Sequence, residues 1–182
     1  KVDGAEATVD NVKAGAYKLS RPFNIATKGE PTGLAKDFIN FILSKEGQAV
    51  VTDNKYIAVN DAAESFVSDG SSGQIAVGGS SSVSPVMEKL IEAYKSVNPN
   101  ASIDLQTSDS TSGMTGAMDG TFAIGMASRE LKDEEAAQLT GTAIALDGIA
   151  VIVNPANTID ELSMDQIKSI YVGDITDWGD LA

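Results

Sequence analysis

The strongest constraint on the fold is a strand, turn and helix unit in the middle of the chain, IAVGGSSSVSPVMEKLIEAY, over residues 75–94. A short apolar strand is followed by a glycine-serine turn and an amphipathic helix, a unit that opens many α/β domains. Strand and helix candidates then alternate over residues 102–105, 113–119 and 122–127. This alternation predicts an α/β fold, with a mostly parallel sheet and helices on both faces.

Helix and strand patterns of the same kind run through the first third of the chain. We expect a short helix over residues 8–14, a strand over residues 17–27, and amphipathic helices over residues 32–44 and 46–51. Pro22 makes a central position in the sheet less favourable for that strand, because proline cannot donate to a sheet ladder. The predicted helices therefore pack against a sheet.

Three later segments complete the predicted organisation. Residues 68–74 (SDGSSGQ) are the most linker-like, because Gly, Ser and Asp favour turns and flexible connections. Residues 143–153 are the longest apolar strand candidate, and residues 163–171 are predicted to form a helix capped by Ser163. A chain of 182 residues, 42% of them hydrophobic, is expected to form one domain with one core.

Charge and missing residue types exclude several functions. A formal net charge of -13 argues against binding of nucleic acids or anionic membranes, which requires clustered positive charge. Cysteine and histidine are both absent, so a disulfide, a thiolate metal site and a conventional catalytic triad are excluded. The spacing of Asp174, Asp177 and Asp180 lacks a calcium-loop pattern. We therefore expect no metal, no cofactor and no enzymatic activity.

Two serine-rich turns, residues 80–82 and 108–113, follow consecutive strands of the alternating half. In a parallel sheet such turns lie at one carboxyl edge, where the following helices present free N–H groups and the positive ends of their dipoles. Hydroxyls added there favour a site for a tetrahedral oxyanion such as phosphate or sulfate. The alternative is that serines of these turns only cap the helices that follow them: Ser82 or Ser84, and Ser110 or Ser112.

Two charged residues are further candidates at this edge. Arg129 ends the third strand of the alternating half, where a guanidinium can bind an oxyanion with two hydrogen bonds. The alternative for Arg129 is a surface ion pair with Glu130 or Asp133. Asp147 interrupts the longest apolar run, so its carboxylate needs a partner or a function. It either accepts the proton of a monoprotonated phosphate or pairs with Arg129.

Several long blocks together resemble the phosphate-specific substrate-binding proteins of bacterial ABC phosphate importers, in particular the Gram-positive type. Residues 1–66, which include LSRPFNIATKGEPTGLAKDFINFILSKEGQAVV, are similar to the C-terminal part of that family. The resemblance implies a type II periplasmic-binding-protein fold, of which this chain is a single three-layer lobe. Four blocks resemble the family's N-terminal part: IAVGGSSSVSPVMEKLIEAY, QTSDSTSGMTGAMDGTFAIGMASRELKDEE, TAIALDGIAVIVNP and LSMDQIKSIYVGDITDWGDL.

The two parts stand in the reverse of the order that the resemblance implies. Residues 1–67 are similar to the family's C-terminal part, residues 68–74 form a linker, and residues 75–182 are similar to its N-terminal part. The second lobe, which the family inserts between the two parts, has no counterpart here. We therefore expect one circularly permuted lobe, natural or engineered, whose old termini are joined by the linker. Termini of compact domains often lie close together, so this rearrangement is physically feasible.

The resemblance also implies which residues bind phosphate. Ser81 and Ser82 match the first phosphate loop of the family, and the second loop is spanned by Ser110, Thr111 and Ser112. Well-known proteobacterial members have an aspartate at the position of Arg129, which accepts the phosphate proton and helps to reject sulfate. That role is vacant in this chain unless Asp147 fills it.

The expected function is inorganic phosphate binding as half of a two-lobe clamp. We expect it to be millimolar or lost in one lobe, because affinity comes from desolvating the ion between closing lobes. The alternative is an engineered or ancestral-like folding scaffold without ligand activity. For the parent protein the resemblance implies an extracellular, lipoprotein or periplasmic location and a membrane permease as partner. This chain, without a signal peptide, is expected to be a mature or engineered soluble form that can dimerise through its exposed face.

Overall fold

The structure, a computed structural model, describes residues 1–181. Within these residues, no helix combines the length and apolar character needed to cross a bilayer. The elements in chain order are α1 (Val9–Lys13), β1 (Ser20–Thr27), α2 (Gly33–Leu43), α3 (Lys45–Asp53), β2 (Ile57–Ala58), β3 (Gly73–Ser80), α4 (Ser84–Val97), β4 (Ala101–Ser108), α5 (Ser110–Asp119), β5 (Ile124–Ala127), α6 (Asp133–Ala136), β6 (Thr140–Gly148), α7 (Met164–Val172) and a 3₁₀ turn (Trp178–Leu181).

Six strands form one sheet in the order β2-β6-β1-β5-β3-β4. β3 pairs in parallel with β4 along its whole length, from Gly73 opposite Ala101 to Ser80 opposite Ser108. β3 also pairs in parallel with β5, whereas β1 is antiparallel to β5 and β2 is antiparallel to β6. The predicted α/β fold and its parallel βαβ half are confirmed, and the first part of the chain adds two antiparallel strands.

β1 lies inside the sheet, between β6 and β5, so the expectation that Pro22 makes a central position less favourable for this strand is wrong. The register explains why proline is tolerated there. Pairing with β5 begins at Asn24, opposite Ala127. The missing N–H of Pro22 therefore breaks none of the hydrogen bonds that join β1 to β5.

Helices cover both faces of the sheet, as predicted. Successive residues of one strand point to opposite faces, and Ile25 and Ala26 accordingly belong to different core clusters. Met126 and Ala127 of β5 divide between the same two clusters. The larger cluster also holds apolar side chains of α2, α3 and α4, and the smaller one holds Met114 and Ala117 of α5.

The predicted linker is held to the helices by a buried carboxylate. Asp37 of α2 is 1% exposed and accepts hydrogen bonds from the Ser68 hydroxyl at 2.8 Å and from the Asp69 N–H at 3.0 Å. The Tyr94 hydroxyl of α4 donates to the same carboxylate at 2.7 Å. Burial, followed by this bond to Asp37, raises the pKa of Tyr94 above its ordinary range, so the hydroxyl stays a donor. Asp37 therefore joins the segment before β3 to two helices.

The chain divides into two compact units. Residues 21–147 carry the sheet and its helices. The other unit combines residues 1–20 with the chain from Gly148 onward, and here the backbone N–H of Asp3 donates to the carbonyl of Leu162 at 3.0 Å.

β6 ends at Gly148, so the prediction of a strand through residue 153 is wrong in its second half. In this segment Ile149 donates to the carbonyl of Leu19 instead of continuing a strand.

Replacing Asp37 by alanine should lower the free energy of unfolding by about 2–4 kcal/mol. The substitution removes a charged acceptor and leaves buried donors without their partner, and such bonds are worth more than neutral ones. Urea unfolding followed by circular dichroism measures the change. Asp53→Ala, at an exposed aspartate in the last turn of α3, is the matched control and should change stability by less than about 0.5 kcal/mol. Equal effects of the two substitutions would contradict the role given to Asp37.

Candidate functional site

The parallel pairing of β3, β4 and β5 places the residues that follow these strands at one edge of the sheet. We call this the serine edge, defined by residues 80–84, 108–112 and 128–130. The predicted convergence of the two serine-rich turns is confirmed. The backbone N–H of Ser81 donates to the carbonyl of Ser108 at 2.9 Å, which joins the two turns directly.

Ser81 and Ser82 form the turn between β3 and α4. Within the described part of the chain, neither hydroxyl makes a hydrogen bond, and Ser81 is exposed. α4 has no side-chain cap, and Val83 occupies its N-cap position. The Ser84 hydroxyl instead contacts the Ser80 carbonyl at 3.3 Å and the Thr107 hydroxyl at 2.8 Å. The capping alternative is therefore wrong for this turn, and both hydroxyls are available to a ligand.

α5 begins at Ser110, three residues before its predicted start, so the second serine-rich turn forms the first turn of the helix. Its N-cap is Asp109, not a serine. The Asp109 carboxylate accepts from the N–H groups of Thr111 at 2.8 Å and Ser112 at 3.0 Å, and from the Ser112 hydroxyl at 2.7 Å. The hydroxyl of Ser112, followed by the backbone donors, holds the pKa of Asp109 below its usual range.

Asp109 is a site residue that sequence analysis missed. Aspartate directly before a helix is a favoured N-cap, so the signal was present in the run TSDSTSG. Its carboxylate occupies the N–H groups that we expected to be free for an anion. An anion at this turn must displace Asp109 or bind beside it.

The other hydroxyls of the second turn accept hydrogen bonds and keep their own protons. Ser110 accepts from the N–H of Ser128 at 3.2 Å, and Thr111 accepts from Arg129 at 3.4 Å. A hydroxyl that accepts one bond can still donate another. Ser110 and Thr111 therefore each keep a proton to donate to an anion, whereas the proton of Ser112 is donated to Asp109.

Arg129 is paired with a buried carboxylate that we had not identified. Its two terminal nitrogens donate to the two carboxylate oxygens of Glu135 at 2.7 and 2.8 Å, and one of them also reaches the carbonyl of Glu130. Glu135 is 3% exposed, and the hydrogen bond from Arg129 is the main cause that lowers its pKa. The predicted pairings of Arg129 with the Glu130 carboxylate, with Asp133 or with Asp147 are wrong.

Asp147 pairs with Arg21, the other arginine of the chain. The Nε–H of Arg21 donates to Asp147 at 2.9 Å, and the guanidinium carbon lies 5.6 Å from the centre of the Phe23 ring. Arg21 had not been predicted as the partner of Asp147. The two partners are 126 positions apart, and only the adjacency of β1 and β6 in the sheet brings them together.

Glycines let α5 approach the sheet closely. Gly79 has φ +135°, and a Cβ on it would lie 2.3 Å from the carbonyl oxygen of Met126. A Cβ on Gly113 would lie 2.7 Å from the Cα of Gly79. Side chains at these positions would clash with backbone, so both positions require glycine. The first turn of α5 is consequently fixed against the ends of β3 and β5.

Comparison with known proteins points to solute-binding proteins. Residues 65–182 match the family model described as a PBP superfamily domain. "Phosphate-binding protein PstS 2" of Streptococcus agalactiae serotype V is 52% identical over 184 residues, which cover 100% of this chain and 62% of that protein. This chain thus spans less than two thirds of the length of that curated relative. The names of these relatives describe binding proteins, not enzymes.

Two solved structures are similar to this chain. The phosphate-binding protein of a phosphate ABC transporter from Streptococcus pneumoniae has a TM-score of 0.95 and 46% identity, and the match covers 100% of this chain and 71% of that one. A Clostridium perfringens structure, described as a putative phosphate ABC transporter substrate-binding protein with bound phosphate, has a TM-score of 0.52 and 44% identity, with coverage of 60% and 45%.

The extent of these matches bears on the order of the two parts of the chain. The alignment with the Streptococcus agalactiae protein runs through this whole chain, so residues 1–67 precede residues 75–182 in that relative as well. The family model matches little more than the second part, residues 65–182. The order of the two parts in this chain is thus the same as in that streptococcal relative.

Removing the Glu135 carboxylate should destabilise the fold by about 2–3 kcal/mol, because Arg129 would lose a buried partner. The pKa of Glu135 is lower in the folded than in the unfolded protein. The ionised carboxylate therefore contributes fully to the free energy of unfolding above the ordinary glutamate pKa of about 4.3. This contribution is lost as the pH falls through the lower folded-state pKa. Unfolding of Glu135→Ala should therefore show a weaker pH dependence below about pH 4.

The exposed neighbour Glu134 provides the matched control for that measurement. Thermal unfolding of both alanine variants between pH 2.5 and 7 separates the buried pair from general charge effects. Glu134→Ala should keep the parental pH profile. A Glu135→Ala profile that runs parallel to the parental one would contradict the assignment.

Proposed function

Because this chain belongs to the PBP superfamily and, within it, to the phosphate-binding proteins of phosphate ABC transporters, we propose that it binds inorganic phosphate at the serine edge. The observation that carries the proposal is the convergence of uncommitted hydroxyl donors from two loops: Ser81, Ser82, Ser110 and Thr111. Four such donors on the ends of parallel strands suit the oxygens of a tetrahedral anion.

The proposed site is half of a clamp. Part of the relatives' length lies outside this chain, and we assign the opposite half of the clamp to that part. An open edge leaves the bound ion hydrated, so hydrogen bonds to it compete with water. The Asp109 carboxylate and the net charge of -13 further oppose an anion. We therefore expect millimolar affinity, roughly -4 kcal/mol, for the 182-residue chain alone.

Asp109 is the carboxylate best placed to accept the proton of a monoprotonated phosphate. Its oxygens contact the first turn of α5, whereas Asp147 is held by Arg21. In this proposal Asp109 takes the role that the family resemblance assigns to an aspartate at the position of Arg129. Such an acceptor favours phosphate over sulfate, because sulfate at neutral pH has no proton to donate.

The biological role proposed for the complete protein is capture of phosphate outside the cell and its delivery to a membrane permease. The similarity to phosphate-binding proteins, one of them from a phosphate ABC transporter, supports this role. We also propose that two copies pair through an exposed face, which size measurements with and without phosphate test.

A titration of the ¹⁵N-labelled chain with phosphate, followed by NMR, tests the proposed function. The amides of residues 81–82 and 110–113 should shift saturably at millimolar phosphate, and sulfate should shift them less. Ser82→Ala should weaken binding at least threefold, because one of the donors is lost. Ser96→Ala, at an exposed serine of α4, is the matched control and should bind like the parent. A well-dispersed spectrum in which none of these amides moves would refute phosphate binding by this chain.

A further inference from the structure

We propose that Arg129 binds the anion at the serine edge through one side of its guanidinium, while another side keeps its bonds to Glu135. Glu135 is then a positioning residue for anion binding. The sequence left Arg129 either as an anion ligand or as one member of an ion pair, and the structure gives it room for both roles at once. The inference rests on the proposed function and adds a charged donor to the hydroxyls of the two loops.

The hydrogen bonds of Arg129 leave one side of the guanidinium open. Nη1 donates to Glu135 at 2.7 Å and to the Glu130 carbonyl at 2.9 Å, so both of its protons are used. Nη2 donates to Glu135 at 2.8 Å and reaches the Thr111 hydroxyl at 3.4 Å. Within residues 1–181, Nε makes no hydrogen bond. In the planar guanidinium the Nε–H and the second proton of Nη2 point to the same side, which we call the open side.

The open side lies at the second serine turn. Its contact with Thr111 is long compared with the usual N–H to O distance of about 2.9 Å, so an anion oxygen can replace it. Thr111 keeps its own proton and can donate to the same anion. The N–H of Ser128, the residue before Arg129, donates to the Ser110 hydroxyl at 3.2 Å. The Arg129 side chain is 30% exposed, so an anion reaches it from solvent.

Both ends of the Arg129 side chain are held in place without an anion. Glu135 is 3% exposed and also accepts the backbone N–H of Lys132 at 2.8 Å, so its carboxylate is itself fixed. The backbone carbonyl of Arg129 accepts from the Asn24 side chain at 2.9 Å. Little side-chain freedom is therefore lost when an anion binds. Binding at the open side also leaves the Glu135 pair intact, whereas breaking it would leave a buried carboxylate without its charged partner.

The charges at the serine edge also favour this assignment. The hydrogen bond to Glu135 is the main cause that raises the pKa of Arg129, and the negative charge of Asp109 adds to it. Arg129 is therefore charged and close enough to Asp109 to feel it. The hydroxyls carry no formal charge and do not offset Asp109 by themselves. The open side supplies two charge-assisted donors, a geometry that suits two oxygens of a phosphate.

The test follows the side-chain Nε–H signals of the ¹⁵N-labelled chain during a phosphate titration. The chain has two arginines, and Arg21→Lys identifies the two signals by removing one of them. The Arg129 Nε–H proton should move downfield and saturate together with the amides of residues 81–82, because it gains an acceptor. The Arg21 Nε–H already donates to Asp147 and should stay unchanged. Arg21→Lys is also the matched control and should bind phosphate within about threefold of the parent.

Two variants separate binding from support of the fold. Combining Arg129→Gln with Glu135→Gln leaves the net charge unchanged, keeps hydrogen-bonding amides in place of the ion pair, and removes the open side. This variant should bind phosphate about tenfold more weakly. Glu135→Gln alone keeps the guanidinium and removes a negative charge, so electrostatics alone would strengthen binding. Loss of positioning should instead weaken binding about threefold and reduce the Arg129 Nε–H shift. The dispersion of each spectrum shows whether the variant is folded.

The outcomes distinguish this inference from the proposed function. Saturable shifts of the serine-edge amides with an unmoved Arg129 Nε–H would overturn the inference and leave the proposed function standing, and this measurement needs no substitution at either residue of the pair. Parental affinity in the folded double variant would overturn it as well, and tighter binding by Glu135→Gln would overturn the role of Glu135. Absence of saturable shifts in the unsubstituted chain would overturn the proposed function, and this inference with it.

Discussion

The candidate site depends on the parallel pairing of β3 with β4 and β5. This pairing brings the ends of three strands to one edge, so hydroxyls more than 25 positions apart in sequence lie on adjacent turns. Gly79 and Gly113 then allow α5 to rest directly on the strand ends. Every other feature of the site, including the Asp109 cap and the Arg129–Glu135 pair, is attached to this frame.

Features that depend on local sequence were predicted well. The strand and helix periodicity of residues 75–127 indicated βαβ connections, and these place the two serine turns together in the structure. Ser163 was predicted as an N-cap from its position before an amphipathic helix, and it accepts from the N–H of Gln166 at 3.1 Å. Both predictions rest on neighbours within one or two helical turns, whose geometry the backbone fixes.

Features that depend on distant partners were not predicted. Arg21 and Asp147 meet because β1 lies between β6 and β5, and this strand order does not follow from periodicity. Asp37 gives no sign in the sequence that it holds the segment before β3. Asp109 is different, because its capping signal was local. It was missed because the neighbouring serines, Ser110 and Ser112, are also favoured N-cap residues and were considered for that role instead. Sequence patterns therefore located the serine edge, whereas the charged groups beside it, the Asp109 cap and the Arg129–Glu135 pair, were found only in the tertiary structure.

The central claim is that the serine edge receives a tetrahedral anion through hydroxyls of two loops. A crystal structure of this chain soaked with phosphate tests it most directly. The account predicts an anion within hydrogen-bond distance of the hydroxyls of Ser82 and Ser110. An anion bound elsewhere on the chain would contradict it.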